Sequence, residues 1–320
     1  MPPIKDLAQL TALAQQRGPL TLAVAAAHEL HVLEAVRAAT DAGIVRPILI
    51  GNELQMRRIA NAHSISLDGF TIVNSEDIHE AATQAVRLVH DGQAQVLMKG
   101  KLETADLLRA ALNKQYGLRT GALLSVVSII QIPGFERLIF LSDAGIVIKP
   151  TLDQKVEIVQ NIINVARQLG IEEPKVAVLA SLDMVSPTIP ATIDAANLSK
   201  MADRGQITGG YVDGPLGFDA AISPAVAEAH GLKGPVAGHA DILIVPDIEA
   251  GNVLAKALVY FVHAEAASVV VGASAPIVIA SRADSAATKL ASIALAVVLA
   301  NAPPPPAQVS EYNIMQVQQP

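Results

Sequence analysis

Short apolar, β-branched runs alternate with segments of helical period along most of this chain, and that alternation restricts its fold more than any other feature. Runs over 20–25, 46–50, 71–73 and 95–98 read as strands, and the segments 28–42, 53–62 and 78–90 between them read as helices. A short amphipathic helix over 6–16 precedes them, and a helix over 104–113 follows. Such repetition specifies a parallel sheet with helices on both faces. The rhythm pauses at 123–130 and 137–141, two runs joined through Pro133 and Gly134, which predict an antiparallel hairpin. It resumes with a long helix over 151–169, a strand over 176–179 and a helix over 190–202. A turn-rich segment over 213–219, a helix over 223–230 and a very apolar strand over 240–245 come next. A helix from Ile248 to Phe261 and a strand-like run over 266–272 complete the series.

The expected fold class is α/β, with two α/β domains around a cleft. The first domain is discontinuous, 1–150 plus 267–320, and the second is 151–266. Pro303–Pro306 should end the packed structure, and the polar stretch 307–320 should be extended or flexible.

Composition narrows the functional classes. The 320 residues are 51% hydrophobic but only 3% aromatic, with no Trp, so the core must be built from Ala, Val, Ile and Leu. That suits buried parallel strands under Ala-rich helices. The net charge of −7 argues against nucleic acid as a partner. The complete absence of Cys excludes disulfides, thiolate metal sites and cysteine nucleophiles. The eight His show no HExxH or HxxxH spacing, so no metal site is expected. His263, Glu265 and Lys289 interrupt the longest apolar stretches below the ~20 residues that span a bilayer. The first ten residues lack a basic start followed by an apolar core, so no signal peptide and a cytoplasmic location are expected.

The chemistry concentrates where strands end. Near the C-terminus, Pro276–Ile279 reads as a short buried strand, followed by Ser281-Arg282-Ala283-Asp284-Ser285 and then a helix carrying Leu290, Ile293, Leu295 and Val298. In open α/β sheets ligands bind at strand ends beside helix N-termini, whose free N–H groups attract anions. The guanidinium of Arg282 fits a phosphate or carboxylate, and Asp284 or Ser285 could cap the helix. Lys99-Gly100-Lys101 makes a second possible anion cradle, although its spacing is not that of a P-loop. Ser142-Asp143, Asp213-Gly214-Pro215 and Pro246-Asp247 also stand at strand ends. Two facing lobes would gather these clusters into one cleft holding Lys99, Arg109, Arg119 and Arg282 with Asp143, Asp213, Asp247 and Asp284.

These residues carry a resemblance. Asp213–Phe261 (DGPLGFDAAISPAVAEAHGLKGPVAGHADILIVPDIEAGNVLAKALVYF) and Gly272–Ala296 (GASAPIVIASRADSAATKLASIALA) resemble the phosphate acetyl/butyryltransferase family. So do Leu97–Ser125 (LMKGKLETADLLRAALNKQYGLRTGALLS) and Phe140–Lys155 (FLSDAGIVIKPTLDQK). The SRADS string at 281–285 is closer to the butyryl branch; the acetyl branch tends to carry Asp seven residues after the Ser, where this chain has Thr288. The resemblance implies an isocitrate/isopropylmalate dehydrogenase-like architecture, a homodimer or a multiple of one, and acyl transfer between coenzyme A and phosphate. Acyl-CoA and phosphate would be substrates, with no permanently bound cofactor. On that reading Ser281 and Arg282 serve the phosphate or the developing oxyanion, and Asp284 or Asp247 is the base. Arg109, in TADLLRAAL, matches an arginine that binds substrate. Lys99, Gly100, Ser142, Asp143, Gly251 and Asn252 complete the expected substrate-binding set; Asp247 could instead cap the helix at Ile248. Two other readings stand beside it. A non-catalytic acyl-CoA- or phosphate-binding regulator is prompted by Thr288 and Ala255. An NAD-dependent decarboxylating dehydrogenase of the same fold would need a DxxxD metal cluster near the cleft and a GxGxxG after the first strand, and neither is present.

Overall fold

The computed structural model describes residues 1–301; the expectations for 303–306 and 307–320 lie outside them. Helix α1 (Leu7–Arg17) starts at Asp6, whose carboxylate accepts the Gln9 N–H at 2.7 Å. The predicted alternation follows as β1 (Leu20–Ala25), α2 (Leu30–Asp41), β2 (Val45–Gly51), α3 (Glu53–Ala62), β3 (Thr71–Asn74), α4 (Ile78–His90), β4 (Val96–Lys99) and α5 (Thr104–Ala111). The hairpin is β5 (Ser125–Gln131) and β6 (Ile139–Ser142), paired antiparallel. Helix α6 (Leu152–Gln168) opens on a capping box formed by Thr151 and Gln154. Then come β7 (Lys175–Leu179), α7 (Pro190–Asp203), β8 (Tyr211–Leu216), α8 (Phe218–Ile222), α9 (Pro224–Ala229) and β9 (Ile242–Ile244). Helix α10 (Ile248–Phe261), β10 (Glu265–Val271), β11 (Ile277–Val278) and α11 (Ala286–Ala300) complete the described chain. One expectation is corrected: Asp213-Gly214-Pro215 lies within strand β8. That strand is at the edge of the sheet, where a proline need not supply a ladder hydrogen bond on its outer side.

Among the described residues the strands form a single sheet, ordered β3-β2-β1-β4-β11-β10-β5-β6-β9-β7-β8. Strands β3, β2, β1, β4 and β11 are parallel to one another, as are β6, β9, β7 and β8. Between these blocks β10 and β5 pair antiparallel from Glu265↔Gln131 to Val271↔Ser125. Strand β10 is antiparallel to β11, and β5 is antiparallel to β6. Three reversals in succession leave the two parallel blocks pointing in opposite directions. The last strand, β11, returns to pair with β4, Ile277 beside Leu97 and Val278 beside Met98.

Helix α11 is apolar on nearly every side because it is buried on nearly every side. Its residues from Ala291 to Leu299 are all buried, against α1, α2 and β10. Its one buried hydroxyl is fully used: Ser292 Oγ accepts the Ser268 N–H at 3.0 Å and donates to Thr288 O at 2.8 Å. No helix among the described residues is long and apolar enough to cross a membrane.

Between β10 and β11 the chain turns through Gly272, at φ +93°, where an added Cβ would lie 2.2 Å from Leu123 O. Both the left-handed backbone and the close approach demand glycine. Gly272→Ala should therefore cost roughly 2–4 kcal/mol. The check is a lowered denaturation midpoint at unchanged slope; an unaltered midpoint would mean that the turn relaxes freely.

Candidate active site

A cleft of about 1020 Å³ runs across the face of the β10–β5 pair. Its floor is Val126, Ser128 and Ile130 of β5 with Ala266 and Ser268 of β10. These are alternate residues of each strand, so they share one face. The hydroxyls of Ser128 and Ser268 meet at 2.8 Å. Leu7 and Thr11 of α1, Ala255 and Val259 of α10, and Thr288 and Leu290 of α11 form walls. The first turn of α1 is tied to the floor strand by the Leu7 N–H, which donates to Gln131 Oε1 at 2.8 Å.

One end of the cleft lies where β4 and β11 finish side by side. Lys99, Glu103 and Thr104 line it together with Ser281, Arg282, Ala283, Asp284 and Ser285. The turn from Ser281 to Asp284 is closed locally: the Asp284 N–H donates to Ser281 O at 3.2 Å, and the Ser281 N–H to Asp284 Oδ2 at 2.6 Å. Ser285, rather than Asp284, is the N-cap of α11, accepting the Thr288 N–H at 3.1 Å. Behind the turn is Lys289, only 2% exposed, whose ammonium donates to Ser281 O at 2.9 Å and Asp284 O at 2.7 Å. In the sequence Lys289 stands out only as an interruption of an apolar stretch. The signal was its place, since a cation in the first turn of a helix opposes the helix dipole and needs a reason to be there.

This end is cationic. Lys99 is 5% exposed and donates to Leu102 O at 3.1 Å. Burial pushes its ammonium below the ordinary lysine range, helped by repulsion from Arg282 and Lys289 and opposed by Glu103 and Glu29. Burial likewise lowers Lys289, opposed by Glu29 and Asp284. Arg282 is largely exposed, and its guanidinium pairs across the cleft mouth with Glu103, the residue preceding α5. Gly100 packs its backbone against β1, for an added Cβ would stand 2.3 Å from Ala26 O. It serves a close approach of chains and leaves the lysine on its N-terminal side facing the cleft.

The other end is built from the segment after β6. Ala144 and Gly145 line the cleft there with Asn252, whose Nδ2 donates to Ala144 O at 3.3 Å. Ser142 and Asp143, expected to face substrate, instead hold this segment from behind. Ser142 Oγ donates to Val126 O at 2.6 Å. Asp143, 3% exposed, accepts the Gly145 N–H at 2.7 Å, the Ile146 N–H at 2.8 Å and the Val126 N–H at 2.9 Å. Burial raises its carboxyl pKa, with those backbone donors opposing. Gly251 brings α10 onto the same segment, since its Cβ would be 2.8 Å from Asp143 O. Asp247 caps α10 by accepting the Ala250 N–H at 3.0 Å and does not line the cleft.

The expectation that all strand-end clusters share one cleft is corrected. Strands β6, β8 and β9 run opposite to β4 and β11, so their polar ends point to the opposite sheet edge. The cleft spans that distance along the seam and gathers Lys99, Ser281, Arg282, Asp284 and Asn252, but not Asp213 or Asp247. Arg109 is mostly exposed on α5, paired with Asp106 at 2.6 Å, and Arg119 pairs with the Ala273 backbone; neither lines the cleft. Among the described residues no group of three or more His, Asp or Glu is gathered closely enough to hold a metal ion.

A sequence profile described as phosphate acetyl/butaryl transferase matches residues 7–83 and 75–297. The chain belongs to this family. It is 44% identical over 297 residues to the phosphate butyryltransferase of Clostridium acetobutylicum, covering 93% of this chain and 99% of that one. It is 45% identical over 294 residues to the phosphate acetyltransferase of Thermotoga maritima, covering 92% and 99%. Among solved structures it resembles a branched-chain phosphotransacylase from Enterococcus faecalis, with a TM-score of 0.78 and 31% identity over 88% of this chain and 99% of that one. The family match runs through both ends of the cleft, from Lys99 to Asp284. Identity to the butyryltransferase and to the acetyltransferase differs by one percentage point, 44% against 45%, so overall similarity does not favour the branch suggested by SRADS.

The buried role of Asp143 has a measurable consequence. Asp143→Ala strips three backbone N–H groups of their acceptor, at ~1–3 kcal/mol for each group left unpaired. Asp143→Asn keeps an acceptor for two of them and turns a donor toward Val126. Calorimetry should therefore rank thermal stability as wild type, then Asp143→Asn, then Asp143→Ala. Equal stability of all three would return Asp143 to the list of substrate ligands.

Proposed function

We propose that this protein transfers a short acyl group, acetyl to butyryl, between coenzyme A and inorganic phosphate: acyl-CoA + phosphate ⇌ acyl phosphate + CoA. The observation that carries the reading is the position of Ser281 and Arg282. They stand beside two buried lysines at one end of a cleft whose remaining floor is apolar and hydroxyl-bearing. The polar end suits a small tetrahedral anion, and the rest leaves room for an acyl chain and the arm of a thioester.

Both nucleophiles belong to the substrates, so direct attack in a ternary complex needs no covalent enzyme intermediate, in keeping with a chain that has no Cys. Arg282, released from Glu103, would clamp the phosphate or the oxygen that gains charge in the tetrahedral state, and the Ser281 hydroxyl would donate to that oxygen. Lys99 supplies a fixed positive charge beside them. A thiol titrates near ~8.5, so a base assists at neutral pH. Asp284 is the better placed of the two candidates, because it lines the cleft and Asp247 does not; its Oδ2 accepts the Ser281 N–H, so Oδ1 would take the proton. Asn252 and the backbone at Gly145 would meet the substrate at the opposite end.

The same proposal includes two lobes about the cleft, in the isocitrate/isopropylmalate dehydrogenase manner. The parallel blocks are the candidates for these lobes, with the seam between them. The division proposed is that expected from the sequence, 1–150 plus 267–320 against 151–266. A homodimer is supported by α10, of which only Gly251 is buried while Val253, Tyr260 and Phe261 are exposed at 69%, 64% and 84%. A cytoplasmic location fits the absence of Cys.

Thiol release followed with DTNB, using acetyl-, propionyl- and butyryl-CoA, tests the activity. Release should require phosphate, and release independent of phosphate, or none, rejects the reading. Arg282→Ala should fold normally and lose on the order of 10²–10³ in turnover. The pH dependence follows from Lys99. Its depressed pKa means that the charge is lost, as pH rises, before the ordinary lysine value of 10.5. The KM for phosphate should therefore climb with pH below that value, whereas Lys99→Met should show a KM that is high and flat over the same range.

A further inference from the structure

We propose that Lys289 is a positioning residue, whose buried ammonium holds the turn bearing Ser281 and Arg282 in register with the cleft; this rests on the reading that those two side chains meet the substrate. Lys289 stands in the first turn of α11, where burial and the helix dipole both disfavour a cation. What it gains there is a pair of main-chain acceptors at the two ends of one turn, Ser281 O at 2.9 Å and Asp284 O at 2.7 Å. Helix α11 does not use Asp284 O, because its own first bonds begin at Ser285, whose carbonyl accepts the Lys289 N–H at 3.1 Å. The outer side of the turn is closed by the Asp284 carboxylate on the Ser281 N–H. Carboxylate and ammonium thus grip the turn from opposite sides.

The anchor behind this grip is rigid. Three residues on from Lys289, Ser292 ties α11 to the backbone of β10 at Ser268, and the helix continues into the core. Ser268 is itself part of the cleft floor. Lys289 therefore refers the position of an exposed turn to the strand beneath the substrate. Arg282 needs such a reference, because its side chain is 63% exposed and a long side chain is aimed only as well as the backbone that carries it. Glu29, which caps α2, provides opposite charge nearby.

Lys289→Met keeps the stem and removes the donors, and Lys289→Gln keeps an amide that can still donate to the carbonyls. In a folded Lys289→Met protein, kcat should fall about 10–100-fold while the KM for acyl-CoA changes less than roughly twofold. Trypsin should cut after Arg282 about tenfold faster than in the wild type as the turn loosens. Lys289→Gln should fall between the two proteins in both measurements. Turnover within about twofold of wild type, or slowed turnover with unchanged cleavage after Arg282, overturns the assignment. Failure of both variants to fold also overturns it, since Lys289 would then support the core and not the turn. If the wild type shows no phosphate-dependent thiol release, the functional reading fails. The trypsin comparison still decides whether Lys289 holds the turn.

Discussion

Strand β10 is the element on which the rest of the structure depends. It runs against both of its neighbours, β11 and β5, and together with the reversal from β5 to β6 it turns the sheet between the two parallel blocks. A doubly wound sheet normally collects its ligand at the carboxyl ends of parallel strands. Here the two blocks present those ends at opposite edges, and the seam replaces a shared edge as the meeting place. The cleft lies along the seam with one polar terminus from each block, the turn at 281–285 with Lys99 on one side and the segment at 144–145 with Asn252 on the other. Three strands, β11, β10 and β5, lie between Lys99 at the end of β4 and the segment after β6, so the cleft crosses the seam.

The buried charges at the cationic end are held by backbone rather than by carboxylates. Lys99 and Lys289 are both nearly inaccessible, yet their hydrogen bonds go to main-chain carbonyls of Leu102, Ser281 and Asp284. A buried lysine neutralised by an adjacent carboxylate contributes little field to a ligand, whereas carbonyl dipoles orient the ammonium and leave most of its charge uncancelled. Burial lowers the pKa of each lysine and outweighs the opposing carboxylates, Glu103 and Glu29 at Lys99 and Glu29 and Asp284 at Lys289.

The fold was largely legible in the sequence because parallel strands buried on both faces leave unbroken apolar runs, and nearly every predicted strand and helix has its counterpart. The misreading of 213–215 arose because Gly and Pro signal a turn equally well when they sit in an edge strand. The cationic end of the cleft was legible at Ser281, Arg282 and Lys99, where polar residues follow a strand directly. The cleft was illegible where its lining depends on strand direction. Ser142, Asp143 and Asp247 have the composition of ligands, but the reversal at the seam and the needs of unpaired N–H groups direct them into loop and cap bonds. Glu103 and Lys289 were missed for the opposite reason. Glu103 acts across a long sequence separation that local pattern does not reveal, whereas Lys289 carries one local sign, a cation in the first turn of an apolar helix.

The Arg282–Glu103 pair shows why the two kinds of cation at this end differ. Both partners are well exposed, and exposed ion pairs are screened and weak. Such a pair can be exchanged for another anion at little cost, so it keeps the guanidinium near the cleft mouth without committing it. A buried pair in the same place would resist exchange, because breaking it strands a charge away from water. The buried lysines take the complementary part: they bind only carbonyls, do not leave, and bias the exchange toward a ligand that carries more negative charge than a single carboxylate. On the proposed reading that bias is what lets phosphate displace Glu103 while the turn held by Lys289 stays where it is.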